Sequence, residues 1–231
     1  MNRFERAVVR TGSRETLRGG SQTLTTNKLI RNTYTLLSMT LIFSAIMAFV
    51  GIVTQVSVGA SLISNIAAIV LLWFVLPRTA NSSAGIGVMF AFTGLLGLGL
   101  GPILSFYLAM PNGPSIVMTA LGGTGIIFLG LSGYALTTRK DFSFMAGFLM
   151  VGFLVVLGAA LLNIFLGMPA LYLALNAAIV MIMSGFILFQ TSALIHGGER
   201  NYIMAAAGLF ISILNLFQSL LALLGAFSGR D

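Results

Sequence analysis

The sequence has no cysteine, one histidine and very few charged side chains. Asp, Glu, Lys and Arg make up 7% of its 231 residues, against roughly 25% in an ordinary soluble domain. The absence of cysteine excludes disulfides, thiolate metal sites and a cysteine nucleophile. The scarcity of charge, together with a hydrophobic content of 58%, excludes a soluble globular domain.

The charge that is present is concentrated near the amino terminus. Of the 12 Lys and Arg residues, seven lie in the first 31 positions: Arg3, Arg6, Arg10, Arg14, Arg18, Lys28 and Arg31. Residues 1–27 are polar and basic and contain no apolar stretch typical of a signal peptide, so we expect a disordered cytoplasmic tail. Its five arginines are candidate contacts for a partner or, as an accessory effect, for anionic lipid. Nucleic-acid binding is not expected, because no basic fold with interleaved aromatic residues accompanies the charge.

The rest of the chain consists of long stretches without Asp, Glu, Lys or Arg, at residues 32–77, 79–138, 142–198 and 201–229. A helix crossing the roughly 30 Å hydrocarbon layer needs about 20 apolar residues, so the first three stretches hold two spans each and the last holds one. The stretches do not alternate between polar and apolar residues as the strands of a β-barrel do. We predict an all-α integral membrane domain over residues 28–231, with seven spans, numbered one to seven in chain order, at 31–54, 57–77, 82–108, 115–137, 143–166, 170–195 and 202–227.

The distribution of Lys and Arg between the loops predicts the orientation. Eleven of the 12 basic residues fall in the amino-terminal tail and in the loops after spans two, four and six, and the other side receives only Arg230. Basic loops stay on the cytoplasmic side. We therefore expect the amino terminus in the cytoplasm and the carboxyl terminus outside it.

None of the predicted spans carries an ionisable side chain at depth. Such groups usually perform proton relay, ion coupling or hydrolysis in membranes. An intramembrane serine protease needs a base near its serine, and a metalloprotease needs a cluster of metal ligands. The spans offer neither, so we expect a protein without enzymatic activity and without a cofactor. We interpret Asp141 as the N-cap of span five, and His196 as a residue of the interface at the end of span six.

Glycine is frequent in spans three and four. Helices in lipid associate through small residues that let backbones approach, and Gly97 and Gly101 lie four residues apart in span three. Pro102 removes a helical hydrogen bond, which makes the step from Gly101 to Pro102 a candidate hinge. We expect spans three and four to pack tightly against each other.

Several amide and hydroxyl side chains also lie within the spans. Ser212, Asn215 and Ser219 share one face of span seven, and Asn176 and Gln190 share one face of span six. Two interpretations stay open for these residues. They either fix the bundle by hydrogen bonds between helices or line a polar pathway between spans six and seven.

Six short motifs, in a particular order and spacing across the seven spans, resemble those of a known family. They are Arg31-Asn32-Thr33-Tyr34, Gly101-Pro102-Ile103, Thr137-Thr138-Arg139-Lys140-Asp141-Phe142-Ser143-Phe144, Asn163-Ile164-Phe165-Leu166, Ile195-His196-Gly197-Gly198-Glu199 and Asn215-Leu216-Phe217. Together they resemble the Bax inhibitor-1 family, and within it the YccA-like bacterial branch. The resemblance covers about residues 25–231 and implies a multi-pass protein of the bacterial inner membrane with six helices around a central seventh.

The resemblance carries two functional implications. Members with calcium-leak activity have two aspartates that share a proton and act as a pH-sensitive latch, and the matching positions here are Gln190 and Ser212. Both departures remove a carboxylate, which counts against pH gating. The alternative function is a leak of calcium or another cation, with calcium or protons as possible ligands. The YccA-like branch is associated with the membrane protease FtsH and its HflK–HflC companions, which implies a non-enzymatic modulator of that protease.

Overall fold

The computed structural model describes the backbone of residues 3–228 and the side chains of residues 26–228. Within this part the chain is helical and contains no strand. The helices are α1 (Arg3–Val53), α2 (Val58–Val70), α3 (Leu76–Thr79), α4 (Ala84–Gly99), α5 (Gly101–Leu108), α6 (Gly113–Thr138), α7 (Met145–Leu166), α8 (Pro169–His196) and α9 (Tyr202–Ser228).

The seven predicted spans are confirmed, and their ends agree with the sequence prediction to within five residues. The spans are Thr26–Val53, Val58–Thr79, Ala84–Leu108, Gly113–Thr138, Met145–Leu166, Pro169–His196 and Tyr202–Ser228. Helix α1 includes most of the segment predicted to be a disordered tail. The side chains before Thr26 lie outside the described residues, so the tail and its five arginine contacts stay a prediction.

Span seven is the centre of the bundle, as the resemblance implied. In its most apolar 18-residue window 61% of the residues are buried, against 11–44% in the other six spans. Helix α9 packs on α8, α6, α1 and α4, and alanine at positions 205, 206 and 207 lets these neighbours approach closely. Helix α7 lies at the periphery and contacts mainly α8.

Three glycines of span three, Gly94, Gly97 and Gly101, pack against span one. A Cβ at Gly97 would overlap the backbone carbonyl of Ser44, and a Cβ at Gly101 would come within 2.8 Å of the carbonyl carbon of Gly51. Spans three and four contact each other mainly through α5 and α6, so the prediction that they pack tightly through their glycines is wrong. Four glycines of α6 have no neighbouring atom within 4 Å of an added Cβ: Gly122, Gly125, Gly130 and Gly133.

Two spans contain interruptions. A π-helical turn at Leu71–Val75 joins α2 to α3, next to Pro77, which has no N–H to donate. Span three breaks between α4 and α5, where Pro102 stands in the first turn of α5. The hydroxyl of Ser61 donates to the carbonyl of Gly99 at 2.6 Å, which satisfies an acceptor at this break.

Candidate functional site

The predicted pair Gln190 and Ser212 is in contact between α8 and α9. The Ser212 hydroxyl lies 3.2 Å from Oε1 of Gln190 and 3.1 Å from the carbonyl oxygen of Gly208. Ser212 is buried, and a Cβ at Gly208 would lie 3.2 Å from Nε2 of Gln190, so the amide of Gln190 lies close over this glycine. Neither side chain ionises in the physiological range, and the contact is a neutral hydrogen bond between two helices.

The two predicted asparagines do not join this contact. Nδ2 of Asn215 donates to the carbonyl of Ile211 at 2.9 Å, and Nδ2 of Asn176 donates to the carbonyl of Tyr172 at 2.8 Å. Each amide thus bonds to the preceding turn of its own helix. Of the four residues singled out as a polar pathway or latch equivalent, the structure brings two together.

A cluster of three hydroxyl groups lies beside Gln190 and connects spans one, four and six. Oγ1 of Thr191 is 3.2 Å from the Tyr34 hydroxyl and 3.4 Å from Oγ of Ser132. Thr191 and Ser132 are buried. None of these three hydroxyl groups was predicted to belong to a site, because a single sequence does not distinguish a buried hydroxyl in a helix from one that faces lipid.

The next residue, Ser192, fastens the loop between spans four and five to α8. Its hydroxyl accepts the backbone N–H of Phe142 at 3.0 Å and lies 3.2 Å from the carbonyl oxygen of Lys140. Ser192 is fully buried. This contact was also missed from the sequence, because the partners are 50 residues or more apart.

Within the same loop, Asp141 has a different role from the predicted one. The residue at the N-cap of α7 is Phe144, so Asp141 is not the N-cap of span five. Its carboxylate instead accepts the hydroxyl and the backbone N–H of Ser143, which forms a local turn. These two bonds, the hydroxyl first, hold the pKa of Asp141 below its ordinary value, and the nearby His196 adds to the effect.

His196 is the last residue of α8, at the end of span six as predicted. Its Nδ1 lies 3.0 Å from the backbone oxygen and 3.3 Å from the hydroxyl of Ser192. A carbonyl oxygen can only accept, so Nδ1 carries the hydrogen in this arrangement. Among the residues that the structure describes, no group of three or more His, Asp or Glu is placed to hold a metal ion.

Asn201 joins the loop after span two to the start of the central helix. Its Oδ1 accepts the N–H groups of Ile203 and Met204, as an N-cap does. Its Nδ2 donates to the carbonyl of Ala80 and to Oδ1 of Asn81. Asn201 thus connects the end of span two to the start of span seven. Together with Ser192, which connects the end of span six to the loop after span four, it holds the ends of four spans at the same end of the bundle.

A helical bundle in which six spans pack around a buried seventh, with a neutral polar contact between spans six and seven, defines the class: a multi-pass membrane protein. The family model described as "Inhibitor of apoptosis-promoting Bax1" matches residues 26–229. The chain belongs to the Bax inhibitor-1 family, in its YccA-like branch, which confirms the resemblance.

Three relatives illustrate the similarity. The chain is 51% identical over 208 residues to the "Modulator of FtsH protease YccA" of Escherichia coli K12, covering 90% of this chain and 94% of the relative. It is 50% identical over 210 residues to an uncharacterized membrane protein of Vibrio cholerae, with 91% and 94% covered. An uncharacterized protein of Pseudomonas aeruginosa is 45% identical over 207 residues, with 88% and 91% covered.

Proposed function

We propose that this protein is a non-enzymatic modulator of the FtsH membrane protease and acts in membrane protein quality control. The observation that carries the proposal is the 51% identity, over 90% of the chain, to a protein named as a modulator of that protease. Identity at this level across almost the whole length supports a shared function as well as a shared fold. Binding to FtsH and to HflK–HflC is part of the proposal.

The architecture supports this role in two ways. The basic amino-terminal segment, with five arginines in residues 1–18, offers an ATP-driven protease a piece of chain to engage. Helix α1, which contains this segment, packs on α4, α5, α8 and the central helix α9. This packing opposes extraction, because pulling on the amino terminus has to separate α1 from four other helices. A protein that is engaged but resists extraction would occupy the protease and slow its action on other substrates.

The polar contacts support the non-enzymatic part of the proposal. Ser192 and His196 are the one serine–histidine pair within hydrogen-bonding distance among the described residues. Ser192 is fully buried, its hydroxyl is engaged by Phe142 and Lys140, and Nδ1 of His196 donates to a carbonyl. This pair lacks the free base that activates a serine nucleophile.

Affinity isolation tests the proposal. Full-length protein and a variant lacking residues 1–20 are isolated from native membranes in mild detergent, and co-purifying proteins are identified by mass spectrometry. A third variant, with residues 1–20 reordered at constant composition, separates a requirement for the sequence from one for charge alone. We expect FtsH with HflK–HflC to co-purify with the full-length chain and to be reduced several-fold by the deletion.

Turnover of the protein in cells is measured in parallel for the three variants. Slower turnover of the truncated variant, with an unchanged thermal unfolding temperature, agrees with engagement through the tail. The proposal fails if FtsH is absent from the isolated full-length protein, or if the deletion changes neither recovery of FtsH nor turnover.

A second candidate function is a leak of calcium or another cation, and the contact between Gln190 and Ser212 supports it. In members with a leak, the matching positions hold a carboxylate pair, and a neutral pair in contact would form a gate without pH control. Substitution of Ser212 by alanine removes the hydroxyl donor from this contact. If the leak exists, calcium flux in proteoliposomes should rise several-fold in S212A. The flux should also be independent of pH between pH 5 and 8, because neither side chain of the pair ionises in this range. Flux equal to that of empty liposomes in both proteins rejects this candidate.

A further inference from the structure

An apolar cavity of about 400 Å³ lies beside the central helix. Its floor is α9, at Phe210, Ile213 and Phe217, and its walls come from spans one, three and four. The polar contact at Ser212 lies on the opposite face of α9, because Phe210 and Ser212 are separated by about 200° around a helix. The cavity is therefore distinct from the site already described.

The cavity opens sideways, between spans one and four. Two of its lining side chains are strongly exposed, Phe49 at 65% and Leu121 at 54%. At a rise of 1.5 Å per residue, Phe49 lies about 6 Å from the end of α1 and Leu121 about 12 Å from the start of α6. Both depths fall inside a hydrocarbon layer of roughly 30 Å, so the opening faces lipid chains.

The lining offers almost nothing to a polar ligand. Ser44 and Thr124 are the only hydroxyl residues among its side chains, and the hydroxyl of Thr124 donates to the carbonyl of Ala120 in its own helix at 2.7 Å. Apolar cavities of this kind stay dry. The chemistry of the lining selects a hydrocarbon ligand.

The volume indicates how much hydrocarbon the cavity holds. An apolar cavity of about 150 Å³ in a soluble protein accepts benzene, which has six carbons. By proportion, the cavity here has room for a chain of about 16 carbons, which is the length of a common membrane acyl chain. We propose that this cavity binds one acyl chain from the bilayer, which enters between spans one and four and lies against α9.

Photo-crosslinking in vesicles tests the proposal. The full-length protein is reconstituted into vesicles of phosphatidylethanolamine and phosphatidylglycerol that contain a trace of phosphatidylethanolamine with a diazirine in mid-chain. After irradiation, labelled peptides are mapped by mass spectrometry. We expect labelling at Ala45, Ala48 and Leu121 to exceed labelling of the outward face of α7, at Phe148 and Leu154, several-fold. A parallel sample with diazirine-labelled palmitate distinguishes a phospholipid chain from a free fatty acid.

Two matched substitutions in α6 make the test specific. Gly125 lines the cavity, Gly130 does not, and neither has an atom within 4 Å of an added Cβ. We expect Gly125→Phe to reduce the labelling of the cavity at least threefold and Gly130→Phe to leave it unchanged. Labelling no higher than on α7, or equal reduction by both variants, overturns the proposal. The proposal is also overturned if a photoreactive amino acid placed at position 121 crosslinks, in native membranes, to a helix of a partner protein and not to lipid.

Discussion

At the scale of single residues, Gly97 sets how closely spans one and three approach. We expect Gly97→Ala to destabilise the folded protein by about 1–3 kcal/mol, because its Cβ would overlap the backbone carbonyl of Ser44, and backbone cannot move aside as a flexible side chain can. The measurement is the free energy of unfolding in mixed micelles titrated with SDS.

Gly130→Ala is the matched control for this prediction. Gly130 is exposed and no atom lies within 4 Å of an added Cβ, so alanine should stabilise α6 by about 0.5–1 kcal/mol through reduced backbone entropy. Opposite signs for the two substitutions are the expected result. Equal effects would contradict the assignment of Gly97 to a helix contact.

The carboxylate of Asp141 offers a second prediction at this scale. Hydrogen bonds from Ser143 lower its pKa; they therefore stabilise the folded state at pH values above the unfolded pKa, and this stabilisation is lost as the pH falls through the folded pKa. Ser143→Ala removes the hydroxyl bond and keeps the backbone N–H bond. We expect the pKa of Asp141 to rise toward its ordinary value and to stay below it.

Carbon-13 NMR of aspartate-labelled protein measures this pKa. The chain has two aspartates, Asp141 and Asp231, and Asp141→Asn assigns the two signals. An unchanged pKa of Asp141 would show that the Ser143 hydroxyl does not hold this carboxylate in solution.

At the scale of elements, α8 holds the loop between spans four and five through one hydroxyl. We expect Ser192→Ala to release the N–H of Phe142 and to speed its hydrogen exchange by roughly three- to tenfold, because a single hydrogen bond contributes about 0.5–1.5 kcal/mol. Exchange measured by mass spectrometry on peptides covering residues 139–145 checks this.

Ser184→Ala is the control in the same helix. The hydroxyl of Ser184 donates to the carbonyl of Val180, one turn before it, so the substitution should leave exchange of the loop at the wild-type rate. Equal acceleration by both variants would mean that α8 as a whole is loosened, and it would contradict a specific tie at Ser192.

The seven spans could be predicted from the sequence, whereas which spans pack against each other could be predicted only in part. Charge-free stretches of 29 to 60 residues fix the number of spans through the thickness of the bilayer. Glycine indicates that a close approach is possible but not which helix approaches: Gly97 and Gly101 pack on span one, and Gly130 faces outward. The contact between Gln190 and Ser212 followed from the resemblance. The hydrogen bonds of Thr191 and Ser192 could not be predicted, because they join residues that are far apart in sequence.

At the scale of the whole molecule, the central helix separates two different environments. One face of α9 carries Ser212 against Gln190, and the opposite face, at Phe210 and Phe217, floors the apolar cavity. A rotation of α9 would therefore change the polar contact and the cavity together.

The orientation in the membrane is the last prediction at this scale. Basic residues gather in the amino-terminal tail and in alternate loops, so the loop with Ser83 should face the cytoplasm and the loop with Asn112 the outside. Because the chain has no cysteine, Ser83→Cys and Asn112→Cys each introduce a single thiol at an exposed position. In spheroplasts, a membrane-impermeant maleimide should label the cysteine at position 112 at once and that at position 83 only after permeabilisation. The reverse pattern would place the tail outside the cytoplasm, where the ATP-driven domain of a protease could not reach it, and would remove the tail from the proposed mechanism.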